Sequence, residues 1–495
     1  MELSNILVGI EGIKARGTLD KQINKIECNS SNISEGDLFI AIEGFNTDGH
    51  LYVFDAIGNG ATAVMLQLNK ITKELIEKIP NEVTVIVAEN TRYAMSICAC
   101  NFYKNPSKKF KLIGVTGTKG KTTTTFMIKS ILEQQGYKVG LIGTICTYIG
   151  NKSLGDNDRT TPESLELQKL FAKMVEEKCE FVVMEVSSQS LKLNRVDGCD
   201  FDVGIFTNFS KDHISKKEHS NMEDYFNSKV KLFKVCKTAY INSDDIYANK
   251  LPQMVPNCEF ITYGIDNPAK LLAKDITVTN TTVDFKVKLG DRNERVKTGI
   301  PGRFSVYNSL AAISIGLKYG CSQENIKEAL LNVRVPGRSE LVDNDKDLTI
   351  MIDYAHSPES LESILKTTKE YTKGQIILVF GCGGDRDKGK RPMMGDIAGI
   401  NANYTIITSD NPRSEKPEEI IKEIELGIKK TKGKYECILN RKEAIKKAIT
   451  IAHKNDIVIL AGKGHEIVQE INGERYPFDE RKIIKEILRN TKKKK

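Results

Sequence analysis

The sequence predicts an α/β protein of three domains: a P-loop-type central domain, a small α/β domain before it, and a Rossmann-like, doubly wound domain after it. Three observations carry that expectation. The chain has 495 residues, too many for one core when a domain of ordinary size takes about 150. Short apolar runs alternate with amphipathic stretches, the pattern of strands covered by helices. Near residue 115 a glycine-rich turn separates a buried strand from a helix. Residues 101–109, with Asn105-Pro106-Ser107 and three lysines, read as the linker into that strand. The domains are therefore expected at 1–106, 107–336 and 337–495.

Composition narrows the function classes. The formal charge of +8 is modest, and part of it sits in the terminal lysines 492–495, a frayed, solvated end. This suits small anionic substrates and makes neither nucleic acid nor a membrane surface an expected partner. Eleven cysteines are scattered without a paired CxxC framework. Cys98 and Cys100 flank Ala99 and read as packing residues rather than zinc ligands. Free thiols imply a reducing cytoplasm. The chain opens without a basic segment followed by an apolar core, and no apolar run reaches bilayer length, so a soluble cytoplasmic protein is expected.

In the N-terminal domain, 37–42, 63–66 and 83–88 read as buried strands, with helices over 70–79 and 91–103. Asn29, Ser30 and Ser31 form a polar patch before Gly36-Asp37, and Asp48-Gly49-His50 is a polar turn. By themselves both are turn signals.

The central domain opens on Lys-Leu-Ile-Gly-Val-Thr-Gly-Thr-Lys-Gly-Lys-Thr-Thr-Thr, residues 111–124. Residues 111–115 read as a strand, and Met127, Ile128, Ile131 and Leu132 mark one face of the following helix. Gly114, Gly117 and Gly120 permit close backbone approach, amides of the turn and helix start point at an anion, and Lys121 adds charge. Thr122 supplies a hydroxyl where a phosphate-bound Mg2+ would sit. Val115 stands in place of the first glycine of GxxxxGK[ST]. A further strand, 139–143, leads into a polar segment ending at Arg159-Thr160-Thr161-Pro162. That end suits a charged substrate, and a capped helix start would give the same pattern. The strand 181–188 carries Glu185 near its C-terminal end, where ligands gather in open α/β sheets and where a carboxylate needs a partner. Glu185 is a Mg2+ candidate or an exposed strand end. After the strand 201–206, His213 is placed to ligate metal or assist a phosphate. Lys229 lies on a helix among apolar neighbours, where an exposed lysine is the ordinary expectation. Asn308, on a helix ending before Gly320, touches a base or faces solvent.

In the C-terminal domain, strands at 348–352, 375–380, 404–408, 435–439 and 456–461 alternate with amphipathic helices, predicting a mostly parallel sheet. Four polar clusters follow these strands: Asp353-Tyr354-Ala355-His356, Gly381 to Arg386, Ser409-Asp410-Asn411-Pro412-Arg413, and Gly462-Lys463-Gly464-His465-Glu466. Four such clusters at one sheet edge define a site. Arg413 and Glu466 are a cation and an anion suited to a zwitterionic ligand.

Taken together, Gly-Val-Thr-Gly-Thr-Lys-Gly-Lys-Thr-Thr, Glu185-Val-Ser-Ser, Thr207-Asn208 to His213, Asp353-Tyr-Ala-His-Ser-Pro, Gly-Asp-Arg-Asp-Lys-Gly-Lys-Arg-Pro and Asp410-Asn-Pro-Arg413 resemble the Mur ligases of peptidoglycan assembly. The branch most similar extends UDP-N-acetylmuramoyl-L-alanyl-D-glutamate by a diamino acid. The resemblance implies that the N-terminal domain binds the UDP-muramoyl end, the central domain is an ATPase domain, and the C-terminal domain brings the amino acid. It implies ATP as substrate, Mg2+ as cofactor, a monomer, and transfer of the γ-phosphate to the D-glutamate carboxylate ahead of amine attack. Lys121, Glu185, His213 and Lys229 would be catalytic; Thr122 and Glu185 would hold one Mg2+, His213 and Lys229 a second, with Lys229 carbamylated (N6-carboxylysine). ATP would meet Gly117, Thr118, Lys119, Gly120, Lys121, Thr122, Thr123, Asn308, Arg338 and Asp353. The muramoyl peptide would meet Ser30, Thr160, Thr161, Ser187 and Arg195, and the amino acid Asp410, Asn411, Pro412, Arg413, Gly462 and Glu466. Asp-Asn-Pro-Arg resembles the pattern of the meso-diaminopimelate enzymes, whose arginine grips the distal carboxylate that L-lysine lacks. The lysine-adding reaction and folylpolyglutamate synthetase are the rival readings. Gln189, Asn29, Ser31 and Ser305 depart from the family pattern, at positions that bear on the acceptor more than on ligase chemistry.

Overall fold

The strand Lys111–Thr116 sits inside a sheet whose order, over residues 111–264, is Glu259–Gly264, Cys236–Asn242, Phe201–Phe206, Lys111–Thr116, Phe181–Glu185, Val139–Ile142, Cys146–Ile149 and Lys152–Asp156. The first six run parallel; Cys146–Ile149 pairs antiparallel with Val139–Ile142 and with Lys152–Asp156. Parallel strands are covered on both faces, so they read as continuous apolar runs. All five residues of Phe181–Glu185 are buried, Glu185 included. The computed structural model describes residues 1–45, 47–157, 159–212, 214–215, 218–344 and 347–492. It divides into one unit of Met1–Lys270 with Ser314–Tyr319 and another of Leu271–Ile313 with Gly320–Lys495.

The first unit also holds a five-stranded sheet in the order Lys14–Arg16, Thr84–Ala88, Ala61–Gln67, Asp37–Ile40, Ile26–Glu27, parallel except for its first strand. Alternation along these strands sends Leu38, Ile40, Met65 and Ile86 into one core and Phe39, Val64, Leu66 and Val85 into another, the period of two that a sheet imposes. Helix Thr91–Phe102 begins where the Asn90 side chain accepts from the amides of Arg92 and Tyr93, satisfying two donors that a helix start leaves open. Cys98 and Cys100 on that helix are buried, as packing residues are.

In the second unit a six-stranded sheet runs Glu340–Leu341, Thr349–Asp353, Ile457–Ala461, Ile376–Phe380, Tyr404–Ile407, Lys434–Cys437, with only the first strand antiparallel. Met351, Leu378, Ile407 and Ile459 face one helical layer; Ile350, Val379, Ile406 and Val458 face the other. This is the doubly wound arrangement expected from the sequence, and it brings the C-terminal strand ends to one edge. Behind that edge Arg441 and Glu480, both fully buried, pair Nε to Oε1 at 2.8 Å. They join helix Arg441–Ile451 to the last helix, Glu480–Lys492.

Three features differ from the sequence reading. The segment expected to be merely polar after residue 143 is a ribbon, Cys146–Ile149 against Lys152–Asp156, turned at Gly150 with φ 55°. Lys274–Val278, Val283–Leu289 and Arg292–Thr298 form an antiparallel sheet, in which Val283, Phe285, Val287 and Leu289 are buried between charged neighbours. Val468–Ile471 and Glu474–Pro477 form a hairpin closed by Asn472 and Gly473, both at positive φ. Such turns match the twist of the strands they join.

Candidate active site

Gly117, at φ 144°, starts the turn after strand Lys111–Thr116, and Gly120, at φ 86°, is the left-handed N-cap of helix Lys121–Gln134. A Cβ on Gly117 would fall 1.9 Å from Thr207 Oγ1, so only glycine fits there. No side chain caps the helix start, which aims its first amides at any anion held in the turn. The turn is pinned from the next strand end. Asn208 Oδ1 accepts from Lys119 N at 2.9 Å, Thr207 Oγ1 donates to Lys119 O at 2.7 Å, and Thr118 N donates to Asn208 O at 2.8 Å. Lys121 Nζ donates to the carbonyls of Gly117 and Thr118 at 2.9 and 3.0 Å, folded back over the cradle. Thr122 and Thr123 are buried in the first helical turn.

The expectation of an exposed Lys229 is corrected by the structure. Lys229 is 1 % exposed, its Nζ donates to Gly117 O at 2.9 Å, and it lies 4.6 Å from the Tyr225 ring centre. Helix Met222–Lys234 turns this face inward because Tyr225, Phe226, Leu232 and Phe233 are buried with it. Burial, and then the nearby Lys121 charge, push the Lys229 amine well below the usual lysine range, which eases loss of its proton. His213, the other expected ligand of that metal, lies outside the described residues.

Glu185 is likewise buried rather than an exposed strand end. Its oxygens accept from Thr144 N at 2.9 Å and Thr144 Oγ1 at 3.0 Å, leaving lone pairs on both for a cation. A Cβ on Gly143 would come within 2.4 Å of Glu185 Oε1. Among the described residues no group of three or more His, Cys, Asp and Glu side chains is arranged to hold a metal. The expected Mg2+ set instead combines a hydroxyl, one carboxylate, a modified lysine and phosphate oxygens, a chemistry that suits Mg2+. The buried carboxylate of Glu185 and the buried Lys229 side chain fit it.

Thr160, Thr161, Ser187 and Arg195 meet around Glu185. Thr160 Oγ1 lies 3.0 Å from Thr144 Oγ1. Thr161 Oγ1 donates to Glu185 O at 2.9 Å and accepts from Ser187 N at 3.0 Å. The following helix, Ser164–Glu176, starts after Glu163 without a side-chain cap, so Thr161 is not a capping residue. Ser187 instead caps Ser188–Lys192. Arg195, 4 % exposed, donates to Thr161 O and pairs with Glu163 at 2.9 Å. Burial lowers its pKa against the opposing pull of Glu163. Glu163 also meets Arg159 at 2.8 Å and Arg92 at 3.7 Å, giving one carboxylate to three guanidiniums. Thr144, Glu163 and Arg92 were missed in the sequence reading; residues 159–163 precede the helix that starts at Ser164, so the Arg159–Glu163 spacing carries no helical signal. Ser30 stands apart from this cluster. It begins the short helix Ser30–Asn32 and lines a cleft of about 1000 Å3 with Asn29, Ser31, Tyr52 and Asn59. Asn29 Oδ1 accepts from the backbone amide of Ser31 at 3.1 Å and caps that short helix. Ser305, another departure, donates to Pro301 O at 3.2 Å.

In the second unit the four polar clusters do converge. Asn411 donates to Glu466 Oε2 at 2.8 Å and accepts from the buried Lys463 Nζ at 2.9 Å. Gly462, at φ 110°, leaves no room for a side chain because its Cβ would meet Asp410 Oδ2 at 2.7 Å. Its amide donates to Asp353 O. Pro412 O lies where a Cβ on Gly384 would fall, and Arg413 Nη1 donates to Gly384 O at 2.8 Å. Asp353 accepts from the amides of Ser339 and Ala355 at 2.7 and 2.9 Å. Burial raises its pKa and the Arg338 charge opposes the rise. Arg338 stacks 4.6 Å from the Tyr354 ring, which also meets His465 at 4.8 Å. Burial, then Arg338 and Arg481, bring His465 down to about 4. Asn308 lies buried on helix Phe304–Lys318 rather than facing solvent.

A phosphate turn beside a buried lysine and carboxylate, with a separate doubly wound domain, is the build of an ATP-dependent ligase, and the comparisons give the class. Models of the Mur ligase family catalytic domain, the Mur ligase middle domain and the Mur ligase glutamate ligase domain match residues 22–103, 115–316 and 337–464. The chain belongs to the Mur ligase family. It is 49 % identical over 494 residues, 100 % of each chain, to the UDP-N-acetylmuramoyl-L-alanyl-D-glutamate--2,6-diaminopimelate ligase of Caldanaerobacter subterraneus subsp. tengcongensis. A Clostridium acetobutylicum enzyme of the same name, numbered 1, is 46 % identical over 99 % of both chains. A solved structure of a diaminopimelate ligase of that name superposes with TM-score 0.72 at 30 % identity, over 99 % of each chain. Among the described residues no helix is long and apolar enough to cross a membrane.

Proposed function

We propose that this chain joins meso-diaminopimelate to the D-glutamate side-chain carboxylate of UDP-N-acetylmuramoyl-L-alanyl-D-glutamate, consuming ATP, in peptidoglycan precursor synthesis. The observation that carries the reading is the near-half identity, over the whole chain, with ligases named for that reaction. The Arg413 guanidinium, held by Glu470 and the Gly384 carbonyl at the sheet edge, supports it, as a cation for a distal carboxylate.

The residues fit the chemistry. A carboxylate is a poor acyl donor until one oxygen becomes a leaving group. Its oxygen attacks the γ-phosphorus, the bond to the ADP oxygen breaks, and an acyl phosphate forms. The amine nitrogen then attacks the acyl carbon, inorganic phosphate departs, and the nitrogen loses a proton. Catalysis is chiefly charge neutralisation and alignment. The turn 117–123 holds the phosphates with backbone amides, and Lys121 swings from its own carbonyls onto them. Thr160, Thr161, Ser187 and Arg195 hold the acceptor carboxylate side, and Ser30 with its cleft takes the UDP end. Asn308, Arg338 and Asp353 contact the nucleoside. Asp410, Asn411, Pro412, Arg413, Gly462 and Glu466 hold the diamino acid.

Thr122 and Glu185 would hold one Mg2+, and His213 with carbamylated Lys229 a second, supplying positive charge to the phosphate oxygens. A neutral Lys229 amine is the form that adds CO2: the nitrogen bonds to carbon, one proton leaves, and the neutral amine becomes an anion. Such a protein works as a cytoplasmic monomer on small molecules. The test is phosphate release from Mg-ATP. It is expected only when both the muramoyl dipeptide and diaminopimelate are present, and release without either one overturns the reading. Intact mass in CO2-saturated buffer, with Lys229→Arg as control, is expected to show one added CO2 on the wild type alone.

A further inference from the structure

Arg413 does not stand unsupported at the sheet edge. Its backbone is left-handed, φ 52°, a conformation that costs a non-glycine residue stability unless its surroundings enforce it. The hairpin Val468–Ile471/Glu474–Pro477 enforces it. Arg413 N donates to Glu470 O at 3.0 Å, and Asn472 N donates to Arg413 O at 2.7 Å. The neighbouring residues are held in the same way: Gln469 Nε2 donates to Asp410 O at 2.6 Å, and Glu470 N donates to Asn411 Oδ1 at 3.1 Å. The side chain is held too. Arg413 Nε donates to Glu470 Oε2 at 3.1 Å while Nη1 donates to Gly384 O.

We propose that Glu470 is a specificity-determining positioning residue, which fixes the plane of the Arg413 guanidinium so that its outer fork meets the distal carboxylate of the incoming amino acid. This rests on the diaminopimelate reading above. A guanidinium has five donors in a rigid fork. Glu470 takes the one on Nε and Gly384 O takes one on Nη1, which directs the edge shared by Nη1 and Nη2 away from the hairpin. Only that edge then offers the two parallel bonds by which arginine grips a carboxylate. Without Glu470 the side chain regains rotamer freedom that binding must remove again. The carboxylate of Glu470 also balances the Arg413 charge, so that geometry rather than bare charge selects the ligand.

The test is steady-state kinetics of Glu470→Gln and Glu470→Ala beside wild type, with meso-diaminopimelate or L-lysine as the varied substrate. Both variants are expected to raise KM for diaminopimelate about tenfold, with kcat and KM for ATP and the muramoyl dipeptide within about twofold. The preference for diaminopimelate over lysine should narrow by the same factor. Glu470→Asp should restore part of it, because it keeps the charge at a shorter reach. Glu470→Gln preserves volume, so it stands as the test if the alanine variant melts early. Wild-type KM and selectivity in the glutamine variant overturn the proposal. So does a parallel fall in kcat and rise in every KM, which would make Glu470 a general prop. A wild type that uses lysine and not diaminopimelate sinks the underlying reading, and this proposal with it, by a distinct signature.

Discussion

In the proposed phosphate turn the groups offered to an anion come from one stretch of chain, 117–123, and its supports, Thr207 and Asn208, hold the backbone from one neighbouring strand end. In the proposed amino-acid pocket the groups come from the ends of separate strands, and Arg413, the cation proposed to read the ligand, is held by a hairpin through Glu470 and Asn472. The difference follows from what is recognised. Phosphate is met by amides at a helix start, which the backbone supplies wherever the turn is right. A distal carboxylate is told from its absence only by a side chain held at one place and in one plane.

If that division is right, damage to the turn lowers kcat and damage to the pocket raises KM for one substrate. The largest effect is expected from Lys121→Ala: about a thousandfold loss of kcat, with KM for diaminopimelate little changed, measured by ADP formation. Next comes Arg441→Met, which strands the fully buried Glu480. It should cost about 3 kcal/mol in urea unfolding, and replacing both partners by apolar residues should recover most of it. Arg413→Ala should raise KM for diaminopimelate about thirtyfold, leaving the rate with lysine nearly as it was. If it lowers kcat as Lys121→Ala does, the two regions are not separable.

The smallest effect sharpens the account of the pocket wall. Glu415 meets Arg391 at 2.9 Å and accepts from Asp385 N. The Arg391 bond, outweighing burial, holds its carboxyl down at about 2. The unfolded chain titrates near 4.3 and so binds more protons between those values, which makes stability rise with pH across that window. Glu415→Gln should therefore flatten the loss of stability as pH falls from about 4.3 to about 2, read from urea midpoints, and leave the slope above pH 5 unchanged.

How much was legible in the sequence follows the same division. The strand, the turn and the helix around Lys121 were readable because apolar period, glycines and a cation lie side by side in the chain. The C-terminal strands were readable from their apolar runs, and their polar ends from position alone. The burial of Lys229 was not, since an apolar neighbourhood on a helix fits a snorkelling lysine equally well; only packing against the turn decides it. Thr144 and Glu163 gave little signal, because each acts through partners brought close by folding. Asn472-Gly473 was a strong hairpin signal that went unread among the charges around it, and Glu470 was hidden with it.

The central claim is selection of an amino acid with a distal carboxylate by this ligase. The most direct measurement is a competition. The protein is given Mg-ATP and UDP-N-acetylmuramoyl-L-alanyl-D-glutamate with equal amounts of meso-diaminopimelate and L-lysine, and the products are identified by mass. A diaminopimelate adduct in large excess is the predicted result. A lysine adduct in excess, or phosphate release with neither adduct, contradicts it.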